Sequence, residues 1–393
     1  MSGLGSVRVR IIALAGVIVV LLGAGLWIAM SHAKAQSTAG GSAGHQGSAA
    51  KDASKAKVPL KVMSVTPAAG TVGVNGAAPI KVTFSTALAT DSSMPTVRPR
   101  IAGSWRRAGT DAIEFVPARG FVQHARVRVS IPAGMTSADG GQLATASVVR
   151  FRVGAYSRAR LAQLLAQLGY LPLTWAPTSG QTAPALGTGF SAQVAAAYTP
   201  PSGSFTWKAG YPLRLRQFWN NGADAGLIIH GAVMAFEADH GMTMDGVAGP
   251  AVWRAILRSA GRDNANRHGY TYAVASQHAP EYLSVWHNGR RILHTPANTG
   301  IPAAPTTVGT AAVYLKYSFQ IMRGTNPDGS TYDDPAVPWA SYFNGGDALH
   351  GFVRATYGSP QSNGCVEMTI ADAQMLWPLT PIGTLVTVIG PAS

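Results

Sequence analysis

One cysteine, Cys365, stands among the 393 residues, so no disulfide can form within the chain. A lone cysteine is first of all a small buried hydrophobe. In an exported chain an unpaired thiol is a liability, because it oxidises or cross-links there, and one that is kept invites a chemical explanation. Charge is sparse too. Charged residues make up 12%, and only 17 acidic residues face 31 basic ones, a formal net charge of +14. The basic residues are scattered, with short pairs such as Arg106-Arg107 and Arg290-Arg291. A nucleic-acid binder concentrates its charge in a patch or helix and carries a recognisable motif, and neither is present. Attraction to an anionic cell envelope suits such a balance better. No phosphate-cradling glycine loop occurs, and no carboxylate or second histidine stands at ligand spacing from His230 or His240. No metal and no organic cofactor is expected, and those two histidines read as surface or packing residues.

What the chain does have is apolar material. Hydrophobic residues form 47%, which excludes a disordered protein, and the length predicts two or three domains. Ile11 to Met30 is an almost unbroken apolar run behind Arg8 and Arg10. That run is long enough to span a bilayer as a transmembrane helix, with the N-terminus cytoplasmic. Ala33-Lys34-Ala35 allows the rival reading of a cleaved signal peptide, but the apolar run is longer than such a signal needs. Residues 1–30 are therefore expected to anchor an extracytoplasmic protein. Residues 31–57, rich in Ala, Gly, Ser and Lys, are expected to be a flexible tether.

From 58 to 154, short alternating runs such as Ile80-Lys81-Val82-Thr83-Phe84 are divided by turn clusters such as Asp139-Gly140-Gly141. This predicts an all-β sandwich of immunoglobulin type. Ser64-Val65-Thr66-Pro67 and Ile113-Glu114-Phe115-Val116-Pro117 resemble a bacterial Ig-like module of wall enzymes. From 155 to 260, Leu161, Leu164, Leu165 and Leu168 fall at helical spacing before Gly169, and a second helical stretch runs from His230 to His240. Leu168-Gly169-Tyr170 and Asp245 to Pro250 resemble the small helical peptidoglycan-binding repeat. Glu237 stands where that repeat has Gln, and Pro172 to Leu227 is a long insertion. From 267 to 391 the pattern is again mainly β, with one short helix from Ile370 to Trp377.

The last segment carries the chemistry. His350-Gly351 follows a Gly-Gly turn, and Ser362-Asn363-Gly364-Cys365-Val366-Glu367-Met368 follows, with Cys365 fifteen positions beyond His350 (365 − 350). A thiol becomes a useful nucleophile beside a base, and an imidazole can hold it as a thiolate ion pair. A carbonyl near Gly351 is expected to orient that imidazole. The N–H groups of Gly364 and Cys365 are expected to form an oxyanion hole.

Together these residues resemble the catalytic domain of the L,D-transpeptidases. Its signature is His-Gly, a loop of this length, then Ser-His-Gly-Cys, an aliphatic residue, and Arg or Asn. The resemblance implies Cys365 as nucleophile, His350 as base and later acid, and Gly351 as the orienting carbonyl. It also places Ser362, Asn363, Gly364 and Trp339 among the substrate-binding or oxyanion residues. Two residues depart from it. Asn363 replaces a histidine, and Glu367, in place of Arg or Asn, is expected to alter recognition of an anionic stem peptide. The implied reaction acylates Cys365 with a peptidoglycan tetrapeptide stem, losing the terminal D-alanine, and passes the acyl group to an amine. Water as acceptor would make it an L,D-carboxypeptidase. A non-catalytic wall-binding scaffold is the alternative of a different class.

Overall fold

The computed structural model describes residues 57–219 and 226–391. The expected anchor, and the tether up to residue 56, lie outside the described residues. No helix among those described is long and apolar enough to cross a membrane.

The first described segment is a two-sheet β sandwich. Its strands are β1 (Val62–Thr66), β2 (Ile80–Phe84), β3 (Thr96–Arg98), β4 (Gly103–Arg107), β5 (Ala112–Pro117), β6 (Arg126–Ile131) and β7 (Ser147–Arg152). One sheet has the order β1-β2-β5-β4 and the other β3-β6-β7. Alternation fixes which side chains turn inward. In β6, Val127, Val129 and Ile131 are buried while Arg126 and Arg128 are exposed. They meet Val82, Phe84 and Ile113 of the facing sheet in one core.

Next come α1 (Arg158–Gln167), β8 (Leu173–Pro177), α2 (Phe190–Tyr198), β9 (Gly203–Trp207), α3 (Leu213–Arg216), α4 (Gly226–Asp239) and α5 (Pro250–Arg262). Leu161, Leu164 and Leu165 of α1 point into the core, and the helix stops before Gly169, whose φ is +82°. Pro250 opens α5, and Asp263, in the left-handed region, closes it. Within the described part of the insertion after Pro172, β8 and β9 pair antiparallel across a connection that contains α2.

The last segment holds β10 (Thr271–Ser276), β11 (Tyr282–His287), β12 (Arg290–Pro296), β13 (Gly309–Ala312), β14 (Leu315–Thr325), β15 (Thr331–Asn344), β16 (Asp347–Gly351), β17 (Val366–Met368), α6 (Ile370–Leu376) and β18 (Leu385–Ile389). They form a five-stranded sheet, β12-β11-β10-β18-β13, and a four-stranded sheet, β14-β15-β16-β17. Every residue of β10 is buried, because the five-stranded sheet is covered on both faces. Ala273 and Ala275 face the core between the two sheets, with Leu349, Val366 and Met368. Tyr272 and Val274 face the other way and join the core of the helical segment, with Ile228, Phe236 and Trp253. The helices are thus built onto the back of the sheet whose front supports the site.

Candidate active site

Two neighbouring strand ends make the site. β15 and β16 are joined by the Gly345-Gly346 turn, and β16 carries His350. β17 pairs parallel to β16, with Leu349 opposite Val366, His350 opposite Glu367 and Gly351 opposite Met368. Leu349, Val366 and Met368 point into the core. Side chains alternate along a strand, so His350, Cys365 and Glu367 point to the opposite side. They open there into one cleft of about 530 Å³, lined also by Asp347, Arg354, Ser362 and Asn363.

The imidazole is held from one side. His350 is 3% exposed, and its Nδ1 lies 3.1 Å from Gly351 O. That contact fits an Nδ1–H donor and leaves Nε2 as the acceptor. Gly351 is itself constrained, because a Cβ there would press on Ile370 and Ala373 of α6. The helix is fixed in turn by Thr369, whose hydroxyl accepts from Asp372 N–H as an N-cap.

The turn before Cys365 is locked from inside. Ser362 Oγ accepts from Gly364 N–H at 3.2 Å and donates to Cys365 O. Gly364 has φ of +118°, and a Cβ there would lie 2.6 Å from Asp347 Oδ1. The position therefore demands glycine both by backbone conformation and by space. Asp347 is fixed by Thr307 N–H, which donates to its Oδ2 at 3.0 Å.

Three expectations need correction. Gly364 N–H is consumed by Ser362, so it does not face the cleft as an oxyanion donor. Trp339 does not line the cleft, for its ring packs on Trp377 with centroids 5.6 Å apart, and its own φ is +59°. Glu367 is not free to meet a substrate. It is 3% exposed and gripped by Arg354, whose Nε donates to Oε2 and Nη2 to Oε1, both at 2.8 Å. An unpaired carboxylate that deep would carry a large desolvation cost, and the bidentate guanidinium offsets it.

The electrostatics differ from a thiolate–imidazolium pair as well. Burial pushes the Cys365 thiol up to about 12; an N–H of Ala348 opposes this, and the carboxylates of Asp347 and Glu367 add to it. Burial also draws His350 below its ordinary value, against the opposing pull of Gly351 O and Glu367. Burial disfavours the charged form of either group, because each would lose water on becoming charged.

Asn363 is exposed, and its Nδ2 donates to Asn326 Oδ1 at 2.6 Å. Asn326 belongs to the turn joining β14 to β15, so the tip of that hairpin reaches the residue two before the thiol. Sequence reasoning missed Asp347, Asp334, Arg354, Tyr332 and Tyr342, all of which line the cleft. Only Asp347, three positions before His350 in the Gly-Gly-Asp turn, stood close enough to a recognised residue to be noticed. Elsewhere, His240 is a packing residue. It stacks on Phe236 at 4.0 Å, with Nδ1 2.8 Å from Phe236 O and Nε2 3.0 Å from Ser259 Oγ. Among the described residues no group of three His, Cys, Asp or Glu could hold a metal ion.

Residues 271–388 match the family model of the L,D-transpeptidase catalytic domain, and residues 56–153 match that of the bacterial Ig-like domain. No curated protein sequence matches the chain. Similar solved structures include an L,D-transpeptidase from Mycobacterium smegmatis, at 14% identity over 84% of this chain and 99% of that one, with a TM-score of 0.26. L,D-transpeptidase 3 from Mycobacterium tuberculosis, in complex with a faropenem-derived adduct, is 16% identical over 84% of this chain and 97% of that one, with a TM-score of 0.27. The catalytic domain of the Enterococcus faecium L,D-transpeptidase is 25% identical over 30% of this chain and 96% of that one, with a TM-score of 0.28.

Proposed function

For a chain that carries an L,D-transpeptidase catalytic domain and a bacterial Ig-like domain, we propose a cysteine acyltransferase that works on peptidoglycan stem peptides. The observation that supports this most is the shared cleft of Cys365 and His350, with Gly351 O behind the imidazole. Cys365 Sγ attacks the carbonyl before the terminal D-alanine of a tetrapeptide stem, and its proton passes to His350 Nε2 as the C–S bond forms. Burial disfavours a resting thiolate, so His350 takes the thiol proton as the attack proceeds. The carbonyl oxygen becomes an oxyanion. Cys365 N–H, which has no backbone partner among the described residues, is the donor left to receive it.

Collapse of the intermediate breaks the C–N bond. His350 returns the proton to the departing D-alanine nitrogen and leaves a thioester on Sγ. The side-chain amine of a neighbouring diamino acid then attacks the thioester; His350 takes its proton, the C–S bond breaks as the amide forms, and the proton returns to Cys365 Sγ. Ser362 holds the turn, and Asn363 joins it to the hairpin tip. The apolar run of residues 11–30 would hold the enzyme in the membrane with this domain facing the wall. The helical segment supports the catalytic sheet from behind.

Incubating the full chain with a tetrapeptide stem should release free D-alanine and add the remaining acyl mass to Cys365. A folded protein that releases none and takes up no acyl group, from the peptide or from a carbapenem, would refute the reading.

A further inference from the structure

The geometry points to Arg354 as the group that binds the carboxylate of the donor's leaving residue. This inference rests on the cleft being the acyl-donor site. The guanidinium is rigidly placed. Nε and Nη2 bond both oxygens of Glu367, Nη2 also donates to Gln361 O at 3.1 Å, and the group lies over the Phe352 ring at 4.6 Å. Nη1 donates to no group among the described residues, yet the side chain is 29% exposed and lines the cleft. A fixed guanidinium whose Nη1 alone is left free in a concave site can donate one charge-assisted hydrogen bond to a carboxylate.

The rest of the cleft's charge narrows the choice. Asp334 and Asp347 also line it and repel an anion. The other cation there, Arg323, bonds Asp333 at 2.9 Å and is 66% exposed on the hairpin. Arg354 and Cys365 line the same cleft. Glu367 is two residues after Cys365 on the same side of the chain, a separation of about 7 Å. The carboxylate of a residue just beyond the attacked carbonyl lies at a separation of the same order from the attacking sulfur. Glu367, the departure that seemed to threaten recognition of an anionic peptide, thus acts as the socket for the residue that performs it.

The test compares two donors on the full chain: a tetrapeptide stem ending in a free D-alanine carboxylate, and the same peptide with that carboxylate amidated. Acylation of Cys365 is followed by intact mass, with KM and kcat taken separately. The acid should be preferred by tenfold or more in kcat/KM, mostly through KM, as expected for one charge-assisted hydrogen bond. In Arg354→Gln combined with Glu367→Gln, which leaves no unpaired buried charge, the ratio between donors should fall to about one, whatever the absolute rate. Arg354→Lys, which keeps the charge but not the fork, should fall between. Should the double variant fold poorly, the preference of the unaltered chain and of the Lys variant still decides. Equal use of both donors by the unaltered chain, or a full preference kept in the Gln double or Lys variant, overturns the role of Arg354 while leaving the acyl-donor site intact. Acylation by neither donor overturns the acyl-donor reading itself, and this inference with it.

Discussion

His350 and Glu367 are register partners across the parallel pair β16–β17, so a buried carboxylate stands beside the buried imidazole. Alone, that carboxylate would favour imidazolium. Arg354 bonds both its oxygens, and burial then dominates and lowers the His350 pKa. The neutral imidazole is the form that accepts a proton, and it is present above the lowered value. The acylation rate should therefore stay level through neutrality and fall only below about pH 6.5, the ordinary histidine value. Stopped-flow acylation across pH 4–9 checks this, and an acid limb centred above 6.5 would contradict it.

The thiol gives a separate expectation. With Cys365 pushed up to about 12, direct alkylation by iodoacetamide, which uses thiolate, should be slow at pH 7 and keep rising well past pH 9. Acylation by donor should not share that rise, because His350 removes the proton during attack. His350→Ala should slow acylation on the order of a hundredfold while alkylation at pH 10 changes little. Asn363→Ala should be milder, since its amide meets Asn326 and carries no proton to the thiol.

Gly364 is the backbone position on which the site most depends. Gly364→Ala should lower acylation by about two orders of magnitude, because the methyl meets Asp347 Oδ1 and φ of +118° strains any side chain. Gly364→Ala with Asp347→Ala removes the clash but not the strain, so it should recover only part of the loss. Complete recovery would show that strain plays no part.

In the helical segment, Glu237 is fully buried. Its Oε2 accepts from Gly246 N–H at 2.8 Å, and Oε1 has no partner. Burial raises its pKa to about 7, against an ordinary carboxyl value of 4.5. A carboxyl whose folded pKa is raised adds stability that is fully present below about 4.5 and lost as pH climbs through 7. Glu237→Gln should therefore stabilise the protein at pH 8 by about 1–2 kcal/mol, allowing for solvent screening around the loop, and by little at pH 4.5. Melting temperatures at the two pH values measure the difference, and an equal shift at both would remove the carboxyl as its cause.

Cys365 and His350 were legible in the sequence because their chemistry is written into short contiguous frames, Ser-Asn-Gly-Cys and His-Gly. Arg354 was not, because its meaning comes from Glu367, thirteen residues away on strand β17 (367 − 354). Trp339 came from the resemblance alone, and its ring packs on Trp377 away from the cleft lining. The strands of the β sandwich were legible from period-two alternation. The dual burial of β10 was not, since Tyr272 and Val274 serve one core and Ala273 and Ala275 another.

That shared burial predicts where the chain can be cut. The β sandwich meets the helical segment through a small set of groups: Tyr198 Oη donates to Phe121 O at 2.8 Å, Asn75 Nδ2 to Thr199 Oγ1 at 2.9 Å, and Tyr156 N–H to Gln123 Oε1 at 3.1 Å, while the Tyr198 ring packs on the sandwich core. A chain beginning at Tyr156 loses these contacts and keeps the whole catalytic sheet covered, so it should fold and acylate Cys365 within a few-fold of the full chain. A chain beginning at residue 267 looks, from its sequence, like a complete catalytic domain. It would nevertheless uncover Tyr272, Val274 and Leu385, which are at most 5% exposed when α4 and α5 are in place. Uncovering these large apolar side chains costs about 1.5–3 kcal/mol each, enough together to consume the stability of an ordinary domain. The shorter chain should therefore aggregate or melt many degrees lower. Circular dichroism melts and size-exclusion profiles of the two truncations decide it. A monomeric, cooperatively melting chain from 267 would mean that the helices are an accessory and not part of the catalytic core.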